Sequence, residues 1–284
     1  MRKVYVSAPC GGTRGRDFRF FQEASLLGDV HLLLWPAGQE EKVSGEAELF
    51  TPEEREYLAR SIRYIREVHP AGEIFDPDAP PFPDLPAGST GPVSGEGPLW
   101  FYRKEEDSPA RRDFCRSRGL EPVPCPPERL EGYPPAPSGE GTDTASGERK
   151  KVLVTGCFDL FHTGHVRFFE EVSRFGDLYV VIGSDRNVRL LKGEGRPLFR
   201  EEERRYIIQS IRYVRESLVS TGSGWMDAEP EIHRLKPDIY AVNEDGDVPE
   251  KREFCEKEGL TYLILKRTPR EGLPARSSTQ LRGF

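Results

Sequence analysis

The sequence contains two copies of one pattern, and this repeat constrains the fold more than any other feature. The segment KVYVSAPCGGTRGRDFRFFQEASLLGDVHLLLW, which begins at Lys3, aligns without a gap with KVLVTGCFDLFHTGHVRFFEEVSRFGDLYVVIG, which begins at Lys151, at an offset of 148 residues. The match resumes, slipped by one residue, where LFTPEEREYLARSIRYIREV aligns with LFREEERRYIIQSIRYVRES, and again where RRDFCRSRGL aligns with KREFCEKEGL. Three matching blocks in the same order predict a tandem duplication of one domain.

The two copies are separated by a stretch that has little to bury. Residues 134–150, PPAPSGEGTDTASGERK, are rich in Pro, Gly, Ser and Thr, a composition typical of a flexible linker. We therefore predict a first domain over residues 1–133 and a second over residues 151–284, because 284 residues are enough for two cores. A similar stretch at residues 76–98, inside the first copy, is predicted to form a long surface loop.

Apolar residues in the second copy recur with strand and helix periods in turn. The runs KVLVT, LYVVIG, DIYAV and TYLILK predict strands, whereas TGHVRFFEEVSRF, REEERRYIIQSIRYV and PEKREFCEKEGL predict helices. Strands separated by helices predict a parallel sheet with right-handed crossovers, so each copy is expected to form a doubly wound, Rossmann-like α/β domain. Ligands in such folds bind beyond the carboxyl ends of the strands.

Bulk composition narrows the possible function classes. The net charge is -7 and no basic tract stands out, which argues against a nucleic-acid partner. No apolar run approaches the length that spans a membrane, and the N-terminal segment lacks the apolar core of a signal peptide. Five cysteines without a CxxC pair are typical of free thiols in a reducing compartment, so a cytoplasmic protein is expected.

Two histidines stand where the first strand of the second copy gives way to its helix. His162 and His165 share a face of the first helical turn, and Gly164 between them leaves room for a close approach. Because a helix N-terminus attracts anions, this arrangement predicts a site for a phosphate group. A pair of core or surface histidines is the first alternative. A zinc site with Cys157 as the third ligand is the second, but it lacks a convincing fourth ligand.

The residues around these histidines resemble a known family. GCFDLFHTGH, at 156–165, is similar to the His-x-Gly-His signature of the cytidylyltransferase-like nucleotidyltransferases, and RSSTQLR, at 276–282, is similar to their second signature. The segments IRYVRES and KRTPREGLPARSST resemble parts of the glycerol-phosphate, choline-phosphate and ethanolamine-phosphate cytidylyltransferases. These motifs occur in order over residues 150–284, and they specify the superfamily much more closely than the substrate.

The resemblance implies a reaction and a set of residues. A phosphate-bearing acceptor attacks the α-phosphorus of a nucleoside triphosphate and pyrophosphate leaves, with Mg²⁺ accompanying the triphosphate. By resemblance, His162, His165 and Lys192 are the catalytic residues. The residues implied in nucleotide and phosphate binding are Gly156, Cys157, Phe158, Asp159, Gly164, Arg276, Ser277, Ser278, Thr279 and Arg282. Alternatives remain for several of them: a solvated lysine for Lys192, helix capping for the Ser/Thr run, a turn for Asp159, and a solvated arginine for Arg282.

The acceptor is less closely specified than the reaction. CTP and a phosphorylated small alcohol are the predicted substrates, and ATP is the alternative nucleotide. Asp245, Asp247 and Arg267 are candidate acceptor-binding residues, and an acidic turn is the alternative explanation for the two aspartates. A protein of another class, a nucleotide-binding scaffold without turnover, is the rival to the enzyme.

The first copy lacks the residues that carry the chemistry. At an offset of 148, Arg14 replaces His162 and Asp17 replaces His165, and no counterpart of the Ser-Ser-Thr run follows. We therefore predict a pseudo-enzyme domain, with anion binding by Arg14 and Arg16 as the alternative.

Both copies nevertheless keep one further segment, IRYI in the first and IRYV in the second. In the related cytidylyltransferases this segment lies at a dimer interface. An internal pseudo-dimer of a monomeric chain is therefore predicted, and a core helix in each domain is the alternative. The residues predicted at this interface are Arg63, Tyr64, Arg212 and Tyr213.

Overall fold

The computed structural model describes residues 1–12, 14–45, 47–83, 85, 97–135 and 149–282. The chain divides into two compact units, Met1–Gly132 and Tyr133–Phe284. Most of the predicted linker, residues 136–148, lies outside the described residues, and so do residues 84 and 86–96 of the predicted surface loop.

The first unit is built on a five-stranded parallel sheet with strand order β3-β2-β1-β4-β5. Its strands are β1 (Lys3–Ala8), β2 (Asp29–Leu34), β3 (Ile65–Pro70), β4 (Leu99–Arg103) and β5 (Glu121–Cys125). Its helices are α1 (Gly15–Ser25), α2 (Gln39–Ser44), α3 (Pro52–Ser61) and α4 (Pro109–Arg118).

The second unit has a parallel sheet of the same form, with strand order β8-β7-β6-β9-β10. Its strands are β6 (Lys151–Gly156), β7 (Asp177–Ile182), β8 (Val214–Val219), β9 (Ile239–Asn243) and β10 (Thr261–Leu265). Its helices are α5 (Thr163–Val172), α6 (Asp185–Lys192), α7 (Glu201–Gln209), α8 (Glu229–Leu235), α9 (Pro249–Glu258) and α10 (Ser278–Leu281). The prediction of two doubly wound α/β units is confirmed.

The periodicity of the sequence explains how α5 is held on its sheet. Val166, Phe169 and Val172 recur at helical spacing, and all three are fully buried. In β6, Val152, Leu153 and Val154 are also fully buried, as expected for a central parallel strand that is covered on both faces. This packing fixes the helix N-terminus beside the carboxyl end of the central strand.

The two units share details beyond strand order. The pairing of β2 with β3 shifts register between Val30 and His31, and the pairing of β7 with β8 shifts between Leu178 and Tyr179, the positions 148 residues on. In each unit an arginine with no exposed side-chain surface, Arg55 or Arg204, donates to carbonyl groups just after the first two strands. The duplication itself stays a prediction from the sequence.

The predicted helix over REEERRYIIQSIRYV is too long. Helix α7 ends at Gln209, Arg212 and Tyr213 form a turn, and Val214 begins β8, a strand that the periodicity did not reveal. The side-chain amide of Gln209 explains the change of direction, because it accepts from Ser217 N–H (2.7 Å) and donates to the Arg215 carbonyl (3.2 Å). A side chain at the end of the helix thus supplies hydrogen-bond partners to two backbone groups of the strand.

The structure adds two helices of the second unit that the sequence did not predict, α6 and α8. Lys192 is the last residue of α6. No helix among the described residues combines the length and the apolar character needed to cross a membrane.

Candidate active site

The loop after β6 is tightly constrained. Phe158 and Leu160 both have a φ of 50°, the left-handed region that side chains disfavour. A Cβ at Gly156 would lie 2.8 Å from the Phe158 ring, so this position has no room for a side chain. Residues held in such conformations are often found at binding sites, where the surrounding structure holds them in place.

His162 caps the helix that follows this loop. It is the N-cap of α5, and its Nδ1 accepts a hydrogen bond from Gly164 N–H at 3.1 Å. Because Nδ1 is the acceptor, a neutral His162 carries its proton on Nε2. A Cβ at Gly164 would lie 2.9 Å from the imidazole Cε1, so the glycine is needed for the ring to occupy this position.

His165 stacks directly on this capping ring. The ring centroids of His162 and His165 are 3.8 Å apart with an interplanar angle of 22°. Phe161 and Phe158 contact the His165 ring from other sides, at centroid distances of 5.5 Å and 5.2 Å. The Nδ1 atom of His165 is buried and has no hydrogen-bond partner within the described part of the chain.

The surroundings of His165 keep it neutral. Burial is the main cause that holds the pKa of His165 well below its usual value, and the neighbouring His162, Arg267 and Lys192 lower the pKa further. A neutral imidazole retains both a donor and an acceptor nitrogen, so His165 can hydrogen-bond a phosphate without a proton transfer.

Asp159 joins the loop to two distant segments. Its carboxylate accepts from the backbone N–H groups of Leu198 (2.8 Å) and Phe199 (3.1 Å), and it forms an ion pair with Arg282. Its carbonyl accepts from the Ser278 hydroxyl at 2.7 Å. Asp159 therefore positions the site, and its two carboxylate oxygens already have protein partners.

Most of the predicted site residues line one cavity of about 530 Å³ at the carboxyl ends of β6 and β9. The predicted residues on its wall are Gly156, Cys157, Phe158, Asp159, Gly164, His165, Lys192, Asp245, Arg267, Ser277, Ser278, Thr279 and Arg282. His162 is 1% exposed and lies beneath His165 rather than on the wall. Burial raises the pKa of the Cys157 thiol, which makes it a poor metal ligand.

Basic residues predominate in the lining of the cavity, although the chain as a whole has a net negative charge. Lys192, Arg196, Lys251, Arg267 and Arg282 line it, against three aspartates. Two of the aspartates are already engaged, because Asp159 pairs with Arg282 and Asp245 pairs with Arg267. A cavity with this balance favours an anionic ligand.

Ser277 has a second function besides lining the cavity, and Arg276 and Asp247 lie outside it. Ser277 caps α10 through a reciprocal pair of hydrogen bonds with Gln280, so capping is one function of this residue. Arg276 lines an adjoining cleft of about 220 Å³, together with Arg167 and Arg270. Asp247 lies outside both, where it binds Arg252 and accepts from the Tyr262 hydroxyl.

Sequence reasoning missed several residues of the cavity wall, among them Asn187, Trp225, Asp227 and Lys251. Trp225 is 56% exposed and lines the cavity, and its loop is held to α6 because Asn187 exchanges two hydrogen bonds with the Gly224 backbone. Burial lowers the pKa of Lys251 and raises that of Asp227. A tryptophan in the polar stretch TGSGWMDAEP was the available signal; Lys251 offered none, since its helix contains many charged residues.

Comparison with known proteins identifies the family of the second unit. The model of the family described as cytidylyltransferase-like matches residues 153–283. An FAD synthase from Ferroglobus placidus is 33% identical over 135 residues, which cover 46% of this chain and 85% of that protein. The chain belongs to the cytidylyltransferase-like family.

Other members of the family and one solved structure also match. The bifunctional protein HldE of Campylobacter curvus is 35% identical over 100 residues, which cover 35% of this chain and 21% of that protein. A lipopolysaccharide core biosynthesis protein from Thermoplasma volcanium, known from its crystal structure, is 25% identical, with a TM-score of 0.37 over 43% of this chain and 99% of that one.

The corresponding place in the first unit differs from the cytidylyltransferase-like site in its charges. Arg14 is the N-cap of α1 and makes no side-chain capping bond, and Asp17 accepts from Arg103 at 2.8 Å. Burial raises the pKa of Asp17. The cavity there has about 200 Å³, and Glu40 and Glu106 also line it. A pocket with this acidic lining is a poor binding site for a triphosphate.

Proposed function

We propose that the cytidylyltransferase-like unit transfers a nucleotidyl group from a nucleoside triphosphate to the phosphate of a small acceptor. An acceptor oxygen bonds to the α-phosphorus, the bond from that phosphorus to the bridging oxygen breaks, and pyrophosphate leaves. The observation that carries the proposal is the stacked histidine pair at the N-terminus of α5, in which a buried, neutral His165 borders a basic cavity. A volume of about 530 Å³ falls within the usual range for a small-molecule site.

The proposed roles follow from position and charge. The attacking phosphate is already anionic, so positioning and charge stabilisation matter more than a general base. His165 would hydrogen-bond the α-phosphate as charge accumulates there, and His162 would support it from below while it orders the helix terminus. Lys192, exposed at the end of α6, is placed to reach a phosphate that enters from solvent. The basic residues of the adjoining cleft would hold the remaining phosphates.

Adenine is the base that we favour. FAD, the product in the name of the FAD synthases, consists of an adenylyl group joined to a flavin phosphate. CTP remains the second candidate, because the IRYV segment and the Ser-Ser-Thr run resemble those of the cytidylyltransferases.

Mg²⁺ is proposed to enter with the triphosphate. Asp159 and Asp245 are paired with arginines, and burial raises the pKa of Asp227, so the acids of the cavity are not arranged as a cage for a metal. The ion would neutralise part of the phosphate charge, and the chain's own residues would orient the nucleotide.

A pyrophosphate-release screen tests the proposal. The full-length protein is incubated with ATP or CTP and a panel of phosphorylated acceptors that includes FMN and phosphorylated small alcohols. Turnover should require one nucleotide and one acceptor class, and His165→Ala should reduce it by about 10²–10³-fold. His233→Ala is the matched control, because this histidine is half exposed on α8, outside the cavity, and its loss should leave turnover unchanged.

Two results would contradict the proposal. One is tight nucleotide binding without turnover against any acceptor, which would indicate a binding scaffold. The other is turnover that survives in His165→Ala while the protein remains folded.

A further inference from the structure

Three potential metal ligands of the first unit meet on adjacent strands, and none of them lines the pocket of that unit at the place that corresponds to the second unit's cavity. His31 is on β2, and Glu67 and His69 are on the edge strand β3. In the strand register His31 faces Glu67, and residues two apart on a strand point to the same side, so all three side chains share one face of the sheet. One ligand atom from each residue lies within 4.8 Å of the other two.

The distances in this cluster suit a tetrahedral ion. Glu67 Oε2 lies 3.5 Å from His31 Nδ1 and 3.4 Å from His69 Nε2. Ligands about 2.0–2.1 Å from a tetrahedral Zn²⁺ are separated from each other by roughly 3.4 Å. Two edges of the coordination tetrahedron are therefore already present, and Nε2 of His69 is buried without a hydrogen-bond partner among the described residues.

The surroundings of His31 favour its neutral imidazole, the form that binds metals. Burial is the main cause that lowers the pKa of His31, and Lys3 and His69 lower it further, while Glu67 and Asp29 act in the opposite direction. Glu67 is half exposed and supplies the negative charge on the open side, where an ion enters from solvent. Tyr5 contacts the His31 ring from the neighbouring strand, at a centroid distance of 5.8 Å, and restricts its orientation.

We propose that His31, Glu67 and His69 bind one Zn²⁺ ion, with a water molecule as the fourth ligand. Two imidazoles and one carboxylate are a typical ligand set for this ion. Because the ligands come from two strands, the ion would fasten the edge strand β3 to β2.

The ligand set is specific to the first unit. The positions that align with His31 and His69 in the second unit are Tyr179 and Leu218, and only the carboxylate has a counterpart, Glu216. The unit that lacks the catalytic histidine pair thus has a histidine pair of its own at another place. Glu216 supplies a matched control, because it occupies the equivalent position on β8.

Zinc binding by the full-length protein tests the proposal. Metal-free protein is titrated with ZnCl₂ by calorimetry, and Co²⁺ is titrated in parallel to detect the visible absorption of a tetrahedral site. Wild type should bind one equivalent at this site. His69→Ala and Glu67→Gln should weaken binding by about tenfold or more, since even changes behind the ligands have effects of this size. Glu216→Gln and His233→Ala should bind as wild type does.

The unfolding temperature gives a second readout. Zn²⁺ should raise it in wild type by mass action and should not raise it in His69→Ala. His69 and Glu67 are partly exposed, so these variants should fold without metal, whereas the more buried His31 is the riskier position to change. Unchanged zinc affinity in both His69→Ala and Glu67→Gln, or no binding by wild type at micromolar Zn²⁺, would overturn the proposal.

Discussion

At the scale of single residues, close stacking of the histidine pair conflicts with protonation of both rings. The rings of His162 and His165 are close enough to stack, and at that distance two protonated imidazoles would repel each other. Burial against Phe158 and Phe161 resolves the conflict because it keeps His165 neutral. As a consequence, the stability of the protein depends on pH.

Stability should fall as the pH drops below the ordinary histidine pKa of about 6.5. The pKa of His165 is lower in the folded protein than in the unfolded chain, so the unfolded chain takes up the proton first. The stabilisation is therefore fully present above about pH 6.5 and is lost below it, by at most about 1.4 kcal/mol per pH unit for one histidine. Urea unfolding at pH 7.5 and pH 5.5 measures this loss.

A variant separates His165 from the other titrating groups. His165→Asn should show a smaller loss of stability between the two pH values than wild type does. Some dependence should remain, because burial also lowers the pKa of His31. An identical loss in wild type and variant would show that His165 does not titrate in this way.

Gly164→Ala should damage catalysis more than stability. The added Cβ would lie 2.9 Å from His162 Cε1 and 3.0 Å from Nδ1, so the capping ring must move and shift His165 with it. A displacement of this kind can lower turnover on the order of 10²-fold. Steady-state kinetics and a thermal melt are compared with those of Gly72→Ala, whose new Cβ would meet nothing within 4 Å. Equal turnover in the two variants would contradict this explanation of the glycine.

At the scale of secondary-structure elements, Asp159 and Arg204 hold the cavity together. Arg204, on α7, donates to the carbonyls of Cys157, Gly183 and Phe199, which follow three different elements. Asp159 binds the 198–199 backbone on one side and Arg282, just after α10, on the other. The walls of the site are thus connected by buried charged groups rather than by apolar packing alone.

Asp159→Asn should loosen the segment that carries the Ser/Thr run. The change removes the negative charge opposite Arg282, whose side chain is 6% exposed, and breaking a buried pair of this kind costs about 3 kcal/mol. Limited trypsin digestion should cut more quickly in the basic stretch 266–276, with fragments identified by mass spectrometry. Asp113→Asn is the control, since it removes only an exposed ion pair to Arg116 in the first unit. Equal cleavage rates in the two variants would show that the pair does not hold this segment.

The elements show what the sequence can and cannot predict. β6 and α5 were predicted because their apolar residues repeat with a clear period, and the cavity position followed from strand topology. The β8 strand was missed because the hydrogen bonds that join it to the end of α7, between the Gln209 amide and the backbone of Arg215 and Ser217, are not visible in a hydropathy pattern. The pairing of Asp159 with Arg282 was missed for a related reason, since it joins residues 123 positions apart.

At the scale of the whole molecule, two units with the same strand order have different sites. The second combines a histidine pair with a basic cavity, whereas the first has Arg14 and Asp17 at the equivalent positions and an acidic pocket. We propose that the first unit is catalytically inactive. The pseudo-dimer remains a prediction from the IRYI and IRYV segments, each of which forms the turn between a helix and an outer strand of its own sheet.

A pseudo-dimer requires that the second unit depend on the first. A fragment of residues 133–284 should be less active than the full chain, or should self-associate, and adding a separate fragment of residues 1–132 should restore monomeric, active protein. The cut precedes Tyr133 because its ring packs on Tyr206 within the second unit, at a centroid distance of 5.5 Å. Turnover and light scattering report the two effects.

Arg14→Ala in the full chain is the control. If the first unit stabilises the second but takes no part in catalysis, this change should leave turnover unchanged. A second-unit fragment that is monomeric and as active as the full chain would rule out the pseudo-dimer, because the second unit would then not depend on the first.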